Sequence, residues 1–461
     1  MLRTATIILA AAGFAGFAGL ATSAAGSEFS ERLAAWQGRP SGAPVERASY
    51  QAPVAAAPMP ASPAPTAYAP HATPWHDMAF GGYHGYDHYG PGIAGDCCGS
   101  CDSCGDGCGA CRPSSLWWVR SEVLIWWQQG RDLPPLVTSD PVTEDSDTAG
   151  ILPGADILFG GERTAGTMTP GGRLDIGTFL DPGQCWGIGN RFWGTGRDSS
   201  GLQISDVDNP VLAIPFFNVA QNQNDALLVA YPGLRSGSID VRNSANIYGN
   251  DVYARILFCR GPCGRIDLIT GYNFTRMNDE LQLRSVSTFT QASGSIPQGT
   301  TLNTYDRFAT RNVFHGGILG LSGTYDSGCC WTVNGLARIS VGNVGQRAVV
   351  RGSRILSVPG QNSTTDSSGL FADDTNSGTF DRNDWTAISE LGINLGYKIA
   401  PCTQVTIGYS LIYWNDVVRA ADQVDTRIGT NTATGEISPQ FHFNRSDFWV
   451  QGLNLGLTCE F

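Results

Sequence analysis

Residues 390–414, ELGINLGYKIAPCTQVTIGYSLIYW, contain two stretches in which apolar side chains alternate with small or polar ones. The apolar set occupies every second position of 391–399 and again of 405–413. A period of two places such a set on one face of a β-strand. Only residues 400–402 separate the stretches, so the segment predicts a β-hairpin with one apolar face and one small, polar face.

The same alternation recurs on both sides of short turns at 181–183, 260–264 and 326–330. Between the hairpins lie long polar connections, which are rare inside compact soluble domains. The ten predicted strands are 117–128, 172–181, 184–194, about 236–259, 264–277, 313–325, 330–342, 387–399, 403–415 and 448–461. The long connections are 129–171, 195–235, 278–312, 343–386 and 416–447.

With these strands, every short turn falls on one side of the sheet and every long connection on the other, which is typical of outer-membrane barrels. We therefore expect an all-β fold, a transmembrane antiparallel up-and-down β-barrel of about ten strands. Eight or twelve strands stay open, because 281–289 and 301–308 are either two extra strands or an extension of one hairpin.

The composition is consistent with that fold class. The chain has 461 residues with 58 Gly, only 15% charged residues and a formal net charge of -12. An average soluble protein has about 25% charged residues, so the composition argues against a soluble helical or α/β enzyme. An acidic chain of this kind has no extended basic face, so we expect no nucleic-acid partner.

The N-terminus indicates export. Arg3 precedes an apolar run over 5–21 and small residues at 22–25, the pattern of a cleaved secretory signal peptide. We expect a signal peptide over 1–26, an Ala/Pro-rich then His/Tyr/Gly-rich linker over 27–96, a Cys-rich segment over 97–112 and the barrel over 113–461. The expected location is the bacterial outer membrane.

The C-terminal segment, DFWVQGLNLGLTCEF, alternates up to its last residue. A chain that ends on an aromatic residue closing such a strand resembles the C-terminal assembly signal of outer-membrane barrels. The expected partners are therefore outer-membrane lipid and the barrel-assembly machinery. The residues of this candidate signal are Trp449, Leu453, Leu455, Leu457 and Phe461.

The face opposite the apolar set carries charges of both signs among many Gly and small polar residues. One interpretation is a charge-lined narrow pore. The other is an internal filling of salt bridges, because barrels of about eight strands are just filled by side chains. The candidate lumen charges are Arg120, Glu122, Arg173, Asp175, Arg191, Arg255, Asp267, Arg338, Glu390 and Lys398.

Several ordered segments resemble the beta-barrel porin type 7 (BBP7) family of bacterial outer-membrane proteins. Among them are WWVRSEVLIWW at 117–127, GGRLDIGTFLD at 171–181, RIDLITGYNF at 265–274 and RFATRNVFHGGILGL at 307–321. The resemblance covers roughly 117–461 and leaves out the N-terminal linker and the Cys-rich segment. It implies an outer-membrane barrel, and it brings no catalytic residues with it.

The 13 cysteines favour disulfides in an oxidising compartment. We expect the N-terminal cluster to be linked to the short-turn rim of the barrel, or to another envelope protein. The C-x₂-C spacings also match zinc or iron–sulfur ligand patterns, but we assign no metal and no cofactor, and His71, His76, His84 and His88 are interpreted as part of a spacer. The candidate disulfide cysteines are Cys97, Cys98, Cys101, Cys104, Cys108, Cys111, Cys185, Cys259, Cys263, Cys329, Cys330, Cys402 and Cys459.

Nucleophilic catalysis requires a base beside a nucleophile, and His315 and His442 are the histidines outside the tail. His442 is close in sequence to Ser446 and Asp447, which leaves an outer-membrane hydrolase open, but isolated loop histidines are usually solvated, and we expect no enzyme. Two functions then compete. The first is a porin-like protein with a narrow channel for small solutes. The second is a structural or surface-display barrel with long extracellular loops, a disulfide-linked periplasmic tail and no conductance.

Overall fold

The computed structural model describes residues 115–461 except 143–144, 165, 167, 262 and 328–329. The expected signal peptide, linker and Cys-rich segment lie outside the described residues. The described chain is built from strands, with one short 3₁₀ helix at Ala421–Gln423. The strands are β1 Trp117–Gln128, β2 Val137–Ser139, β3 Asp156–Phe159, β4 Met168–Phe179, β5 Trp186–Thr195, β6 Asp198–Ser205, β7 Leu212–Asn218, β8 Gln223–Ala230, β9 Arg235–Arg260, β10 Gly264–Phe289, β11 Thr301–Asp326, β12 Trp331–Ser357, β13 Thr364–Asp366, β14 Gly378–Ala400, β15 Thr403–Val417, β16 Arg427–Asn431, β17 Glu436–Ser438 and β18 Ser446–Glu460.

Ten of these strands pair in a ring, each antiparallel to its two neighbours. The order is β1, β4, β5, β9, β10, β11, β12, β14, β15 and β18, and β18 pairs with β1. In that last pair Trp118 lies opposite Glu460 and Gln128 lies opposite Val450, so the two ends of the described chain meet. The prediction of an all-β antiparallel fold is confirmed.

Most of 278–312 and of 343–386 continues the ring strands. The polar connection predicted at 343–386 is therefore wrong, and at 278–312 the hairpin extension left open above is the one observed. β10 and β11 stay paired as far as Thr288 and Thr301, so 281–289 and 301–308 lengthen one hairpin and add no strand to the ring. At about 3.3 Å per residue, a strand of 26 residues runs for roughly 85 Å, far longer than an apolar band of about 25 Å requires. β9 to β12 therefore extend well beyond such a band.

The remaining long connections contribute a second, smaller sheet. Its six strands are β2, β3, β7, β8, β16 and β17, and β7 pairs with both β2 and β8. Leu212, Ile214 and Phe216 of β7 pack in one buried cluster with Phe308 of β11 and Val350 of β12. This cluster is the largest apolar core among the described residues, and it lies at the long-connection end of the ring. We call the long-connection ends of β9 to β12, together with this sheet, the extension.

The outer face of the ring near the short turns is apolar. Exposed aliphatic residues occur there on every ring strand, for example Val123, Ile188, Leu319, Ile393 and Leu455. Because a water-facing sheet would bury such residues, this surface fits contact with lipid. We call it the apolar belt.

No helix in the described part of the chain is both long enough and apolar enough to cross a membrane.

Candidate functional site

The interior of the ring holds the charged residues predicted for the lumen. Alternation along each strand places them on the face opposite the apolar belt. Glu122, Arg173, Arg191, Asp267 and Glu390 are buried, and the other five, Arg120, Asp175, Arg255, Arg338 and Lys398, are half-buried.

Glu390 is the centre of a network of buried ion pairs. Its carboxylate accepts hydrogen bonds from Nη1 and Nη2 of Arg191 at 2.9 and 2.6 Å, and from Nε of Arg338 at 2.8 Å. Asp251 lies on the other side of both guanidinium groups, 2.9 Å from Arg191 and 2.8 Å from Arg338. Arg173 pairs with Glu122 at 3.0 Å. Two strands far apart in sequence, β9 and β14, thus supply the two carboxylates that hold the same two arginines.

Asp251 was missed by the sequence analysis, although a signal for it exists. The outward residues of β9 were recognised from Val252 onward, and Arg255 was assigned to the inner face. Continuing that inner set backward in steps of two reaches Tyr253 and then Asp251. Asp251 is 0% exposed, so it is as deeply placed as any of the predicted charges.

A second group of polar contacts lies closer to the short-turn rim. Asp175 accepts hydrogen bonds from the Tyr253 hydroxyl at 2.7 Å and from Nε1 of Trp118 at 3.2 Å. Asp267 pairs with Arg255 and Arg265, each at 2.6 Å. At the rim itself, Lys398 pairs with Asp326.

These two groups line a cavity with about 810 Å³ of empty space, part of it open to solvent. Arg120, Arg173, Arg191, Arg255 and Arg338 contribute to its wall, together with Asp175 and Glu390. Most of the guanidinium charge is already paired with carboxylates, so the cavity wall is close to neutral. Such a wall is typical of a salt-bridged filling, since a strongly selective pore carries a ring of one charge.

An apolar layer crosses the interior beyond the charge network. Along β9 the inward side chains pass from Asp251 through Ile247 to Val241, that is, from the network through this layer to the extension core. Among the described residues, nine of the ten ring strands contribute to the layer, all of them except β4. Its members are at most 5% exposed: Leu124, Trp126, Trp193, Ile247, Met277, Phe314, Val344, Ile388, Ile412, Trp414, Val417, Phe448 and Val450.

The large rings of the layer touch one another. The ring centroids of Trp126 and Trp193 are 5.7 Å apart, and those of Phe314 and Trp414 are 6.0 Å apart. Arg173 stacks its guanidinium carbon 5.2 Å from the Trp126 ring and so joins the layer to the charge network. Sequence reasoning missed this layer because it treated the inward face as uniformly small and polar.

Asp306, in the extension part of β11, forms buried hydrogen bonds with the connection before β14. Its Oδ1 accepts hydrogen bonds from the backbone amides of Leu370, Phe371 and Ala372 at 2.9, 2.9 and 2.7 Å. Burial raises the pKa of this carboxyl to about 6, although the three amides and Arg354 act in the opposite direction. Asp306 is therefore a buried acid that titrates near neutral pH.

The described cysteines all lie at the short-turn rim. There the carbonyls of Cys185, Cys330 and Cys402 accept hydrogen bonds from backbone amides of adjoining strands at 2.8, 2.8 and 2.9 Å. Cys185, Cys330, Cys402 and Cys459 carry free thiols, and Cys263 is disulfide-bonded. The cysteines of 97–111 and Cys329 lie outside the described residues, so the expected linkage stays a prediction.

The C-terminal strand presents its candidate assembly residues outward. Leu453, Leu455, Leu457 and Phe461 are exposed, and Trp449 is half-buried. Their recognition by the assembly machinery stays a prediction.

The two histidines are not arranged with a nucleophile in the described part of the chain. His315 lies on the outer face, where its Nδ1 shares a hydrogen bond with the Tyr272 hydroxyl. His442 is exposed in the connection before β18. The Ser446 hydroxyl donates to Asp422 at 2.8 Å and makes no hydrogen bond to His442.

Residues 118–461 match the protein family described as putative beta barrel porin-7 (BBP7). The match covers most of the chain, and the protein belongs to this family. A comparison with curated proteins found no match.

Three solved outer-membrane structures are similar to this chain at low identity. The outer membrane protease OmpT from Escherichia coli is 11% identical, with a TM-score of 0.37, covering 76% of this chain and 97% of OmpT. A FadL homologue from Pseudomonas aeruginosa is 8% identical, with a TM-score of 0.20 and coverages of 76% and 90%. The toluene transporter TodX from Pseudomonas putida gives the same four values. Family membership, the ring of strands and the apolar belt together make this protein a bacterial outer-membrane β-barrel.

Proposed function

We propose that this protein is a structural outer-membrane barrel with a closed interior, which anchors the extension and displays it at the cell surface. The single observation that carries the proposal is the apolar layer, to which nine of the ten ring strands contribute buried side chains. A hydrated solute or ion would have to leave its water to pass such a layer. The proposal gives the chain no catalytic role.

The extension supports the same proposal. Its apolar core joins the small sheet to the inner faces of β9 to β12, so a second apolar barrier follows the first along the axis of these strands. Between the two barriers, buried Arg131 and Arg419 both approach Asp279, at 3.5 Å each. An interior filled by two apolar barriers and buried ion pairs supports a structural or display role better than a path for diffusing solutes.

The proposed orientation follows from the connections. Outer-membrane barrels have short periplasmic turns and longer extracellular loops, so the extension faces the outside and the cysteine rim faces the periplasm. Export by the predicted signal peptide over 1–26 and insertion by the barrel-assembly machinery would lead to this orientation. Disulfides between the N-terminal cluster and the rim, or an envelope protein, belong to the proposal as well.

A narrow channel for small solutes is the second candidate function. The cavity inside the ring favours it, because charged and polar side chains such as Arg120 and Asp175 line it. To conduct, the side chains of the apolar layer would have to move aside.

Planar-bilayer recording of the refolded full-length protein separates the two candidates. We expect no conductance from a protein whose heat-modifiable gel mobility shows that it is folded. Discrete ion-conducting steps from the folded protein would overturn the proposal and support the narrow channel.

A variant pair shows whether any current passes through the interior. Trp126→Ala with Trp414→Ala removes two large rings from the apolar layer, and Trp186→Ala with Trp331→Ala removes two rings of the same kind from the apolar belt. If the interior conducts, the first pair increases the current and the second leaves it unchanged. If the interior is closed by both barriers, neither pair produces steps.

A further inference from the structure

The outer faces of β9 to β12 carry a cluster of arginines in the extension. Their neighbours along each strand point inward and are buried, so the arginines point away from the core. On these outer faces only Asp240 and Glu280 carry negative charge, although the whole chain has a net charge of -12. The arginine face consists of Arg242, Arg276, Arg284, Arg307, Arg311, Arg347 and Arg351.

The register brings like charges together on this face. Arg307 of β11 lies directly opposite Arg351 of β12, and Arg311 lies directly opposite Arg347. Like charges in directly opposite positions destabilise an antiparallel pair. Two such pairs lie four residues apart on one pair of strands, so positive charge is concentrated on this part of the outer surface.

Carboxylates of the protein compensate only part of the charge. Arg307 pairs with Glu280 and Arg347 pairs with Asp381 of β14, both at 2.6 Å. Arg311 and Arg351, one from each like-charged pair, make no ion pair with any residue that the structure describes. Arg276 donates only to the amide oxygen of Asn278, at 3.0 Å.

The arginine face begins where the apolar belt ends. Phe274, His315 and Trp385 lie in one outward row at the end of the belt, which also contains Asn250 and Asn343, and Trp385 is 71% exposed. Aromatic side chains mark the boundary between hydrocarbon and headgroups in outer-membrane barrels. Arg276 follows Phe274 by two residues and Arg311 precedes His315 by four, so they lie about 7 and 13 Å along their strands from this boundary. Arg347 lies directly opposite Arg311 and thus at the same height, so Arg276, Arg311 and Arg347 are the arginines nearest the lipid headgroups on the long-connection side.

We propose that the arginines of this face nearest the apolar belt, Arg276, Arg311 and Arg347, bind the phosphate groups of lipids in the outer leaflet of the membrane. Guanidinium groups bind phosphate with two parallel hydrogen bonds, and a phosphate between two opposite arginines is attracted to both. The occupant is a lipid and not a free anion, because the apolar belt directly below the face receives the acyl chains of the same molecule. The inference rests on the orientation proposed above and is independent of whether the interior conducts.

A lipid titration of the full-length protein tests this inference. Folded protein in zwitterionic micelles is titrated with a fluorescent lipid A, a glucosamine-disaccharide lipid that carries two phosphates. Each arginine near a membrane surface contributes about a fivefold factor to the binding of anionic lipid. We therefore expect Arg276→Gln with Arg311→Gln to weaken binding about 25-fold, while Arg260→Gln, an exposed arginine at the opposite rim, leaves it unchanged.

The substitutions are chosen so that the variant should keep its fold. Since neither Arg276 nor Arg311 is ion-paired with a described residue, their removal leaves Arg307–Glu280 and Arg347–Asp381 intact, and heat-modifiable mobility should not change. Equal binding by the variant and the unchanged protein would overturn the inference. Displacement of the lipid by an equal concentration of inorganic phosphate would also overturn it, since that result describes a general anion site. Loss of lipid binding in the variant, with no change in its conductance, would show that the lipid site and the closed interior are independent properties.

Discussion

The two halves of the long strands β9 to β12 place their apolar side chains on opposite faces, outward in the membrane half and inward in the extension. In the membrane half of β11, the outward Leu319 and Leu321 are 57% and 48% exposed. In the extension half of the same strand, Arg307 and Arg311 point outward, while the apolar Phe308 points inward and is 2% exposed. The strand keeps its alternation throughout, and only the chemical identity of the two faces changes.

This difference shows how the surroundings determine the pattern on a continuous strand. Where the outside is hydrocarbon, apolar side chains are stable there and polar groups gather inside. Where the outside is water, burial of apolar surface is favourable and the same strand turns its apolar set inward. Because a strand cannot change the parity of its side chains, the hydrophobic set shifts by one residue in the sequence at the boundary.

The largest effect is expected from breaking the charge network inside the membrane half. Glu390→Gln leaves Arg191 and Arg338 with Asp251 as their remaining carboxylate partner. Removing one partner of a buried ion pair costs about 3–5 kcal/mol. We expect a loss of that size in the free energy of unfolding, measured by urea denaturation in lipid vesicles.

The same substitution in the extension is the control. Glu280→Gln removes the carboxylate paired with Arg307, whose side chain is 33% exposed. Exposed pairs contribute about 0–1 kcal/mol, so the two Glu→Gln variants should differ several-fold. Equal losses would mean that the network is as hydrated as the outer surface of the extension.

The second-largest loss of stability is expected from a charge placed on the outer face of β12. The charge is placed once in the apolar belt and once in the extension. Ile339→Arg puts a guanidinium group in the apolar belt, where the side chain is 41% exposed. A charge at the bilayer midplane costs about 2–4 kcal/mol in such barrels. Ile355→Arg puts the same group on the same face of the extension, where the side chain is 37% exposed and a surface substitution changes stability by about 0.5 kcal/mol or less. Urea unfolding in vesicles measures both variants, and a similar cost for both would contradict the assignment of the belt to lipid.

The smallest of the three effects concerns the pH dependence of the extension. The pKa of Asp306 is raised to about 6, above the ordinary value of 3.8. The folded state therefore holds the proton more tightly than the unfolded state, and this contribution to stability is complete below pH 3.8 and lost as the pH rises through 6. It amounts to at most about 3 kcal/mol.

Asp306→Asn shows whether the pH dependence of the extension comes from Asp306, because the variant has no titrating carboxyl at this position. The amide oxygen can still accept hydrogen bonds from Leu370, Phe371 and Ala372, and the amide nitrogen replaces Oδ2, which has no hydrogen-bond partner. Hydrogen exchange of those three backbone amides between pH 4 and 7, corrected for the intrinsic rate, should show increasing opening in the unchanged protein and a flat profile in the variant. Parallel profiles would assign the pH dependence to another group.

Much of the membrane half was predictable from local patterns. The hairpin of β14 and β15, the outward set of β18 and the inward position of Glu390 each follow from alternation over about ten residues. For the extension halves of β10 and β11 the sequence left strands and a hairpin extension open, because their apolar set has the opposite parity and is interrupted by polar residues such as Asp306. The apolar layer was missed for a related reason, since Trp126 and Phe314 are large inward residues on strands whose other inward positions are small or polar.

The sequence by itself determined the class of fold, the short-turn and long-connection sides, and which residues of the belt share a face, because these properties repeat every two residues along one strand. Only the tertiary structure decided that Glu390 and Asp251 hold the same arginines, that nine strands contribute to one apolar layer, and that Arg307 faces Arg351. Each of these depends on the pairing register between strands far apart in sequence, and that register is fixed by the whole ring and not by any single segment.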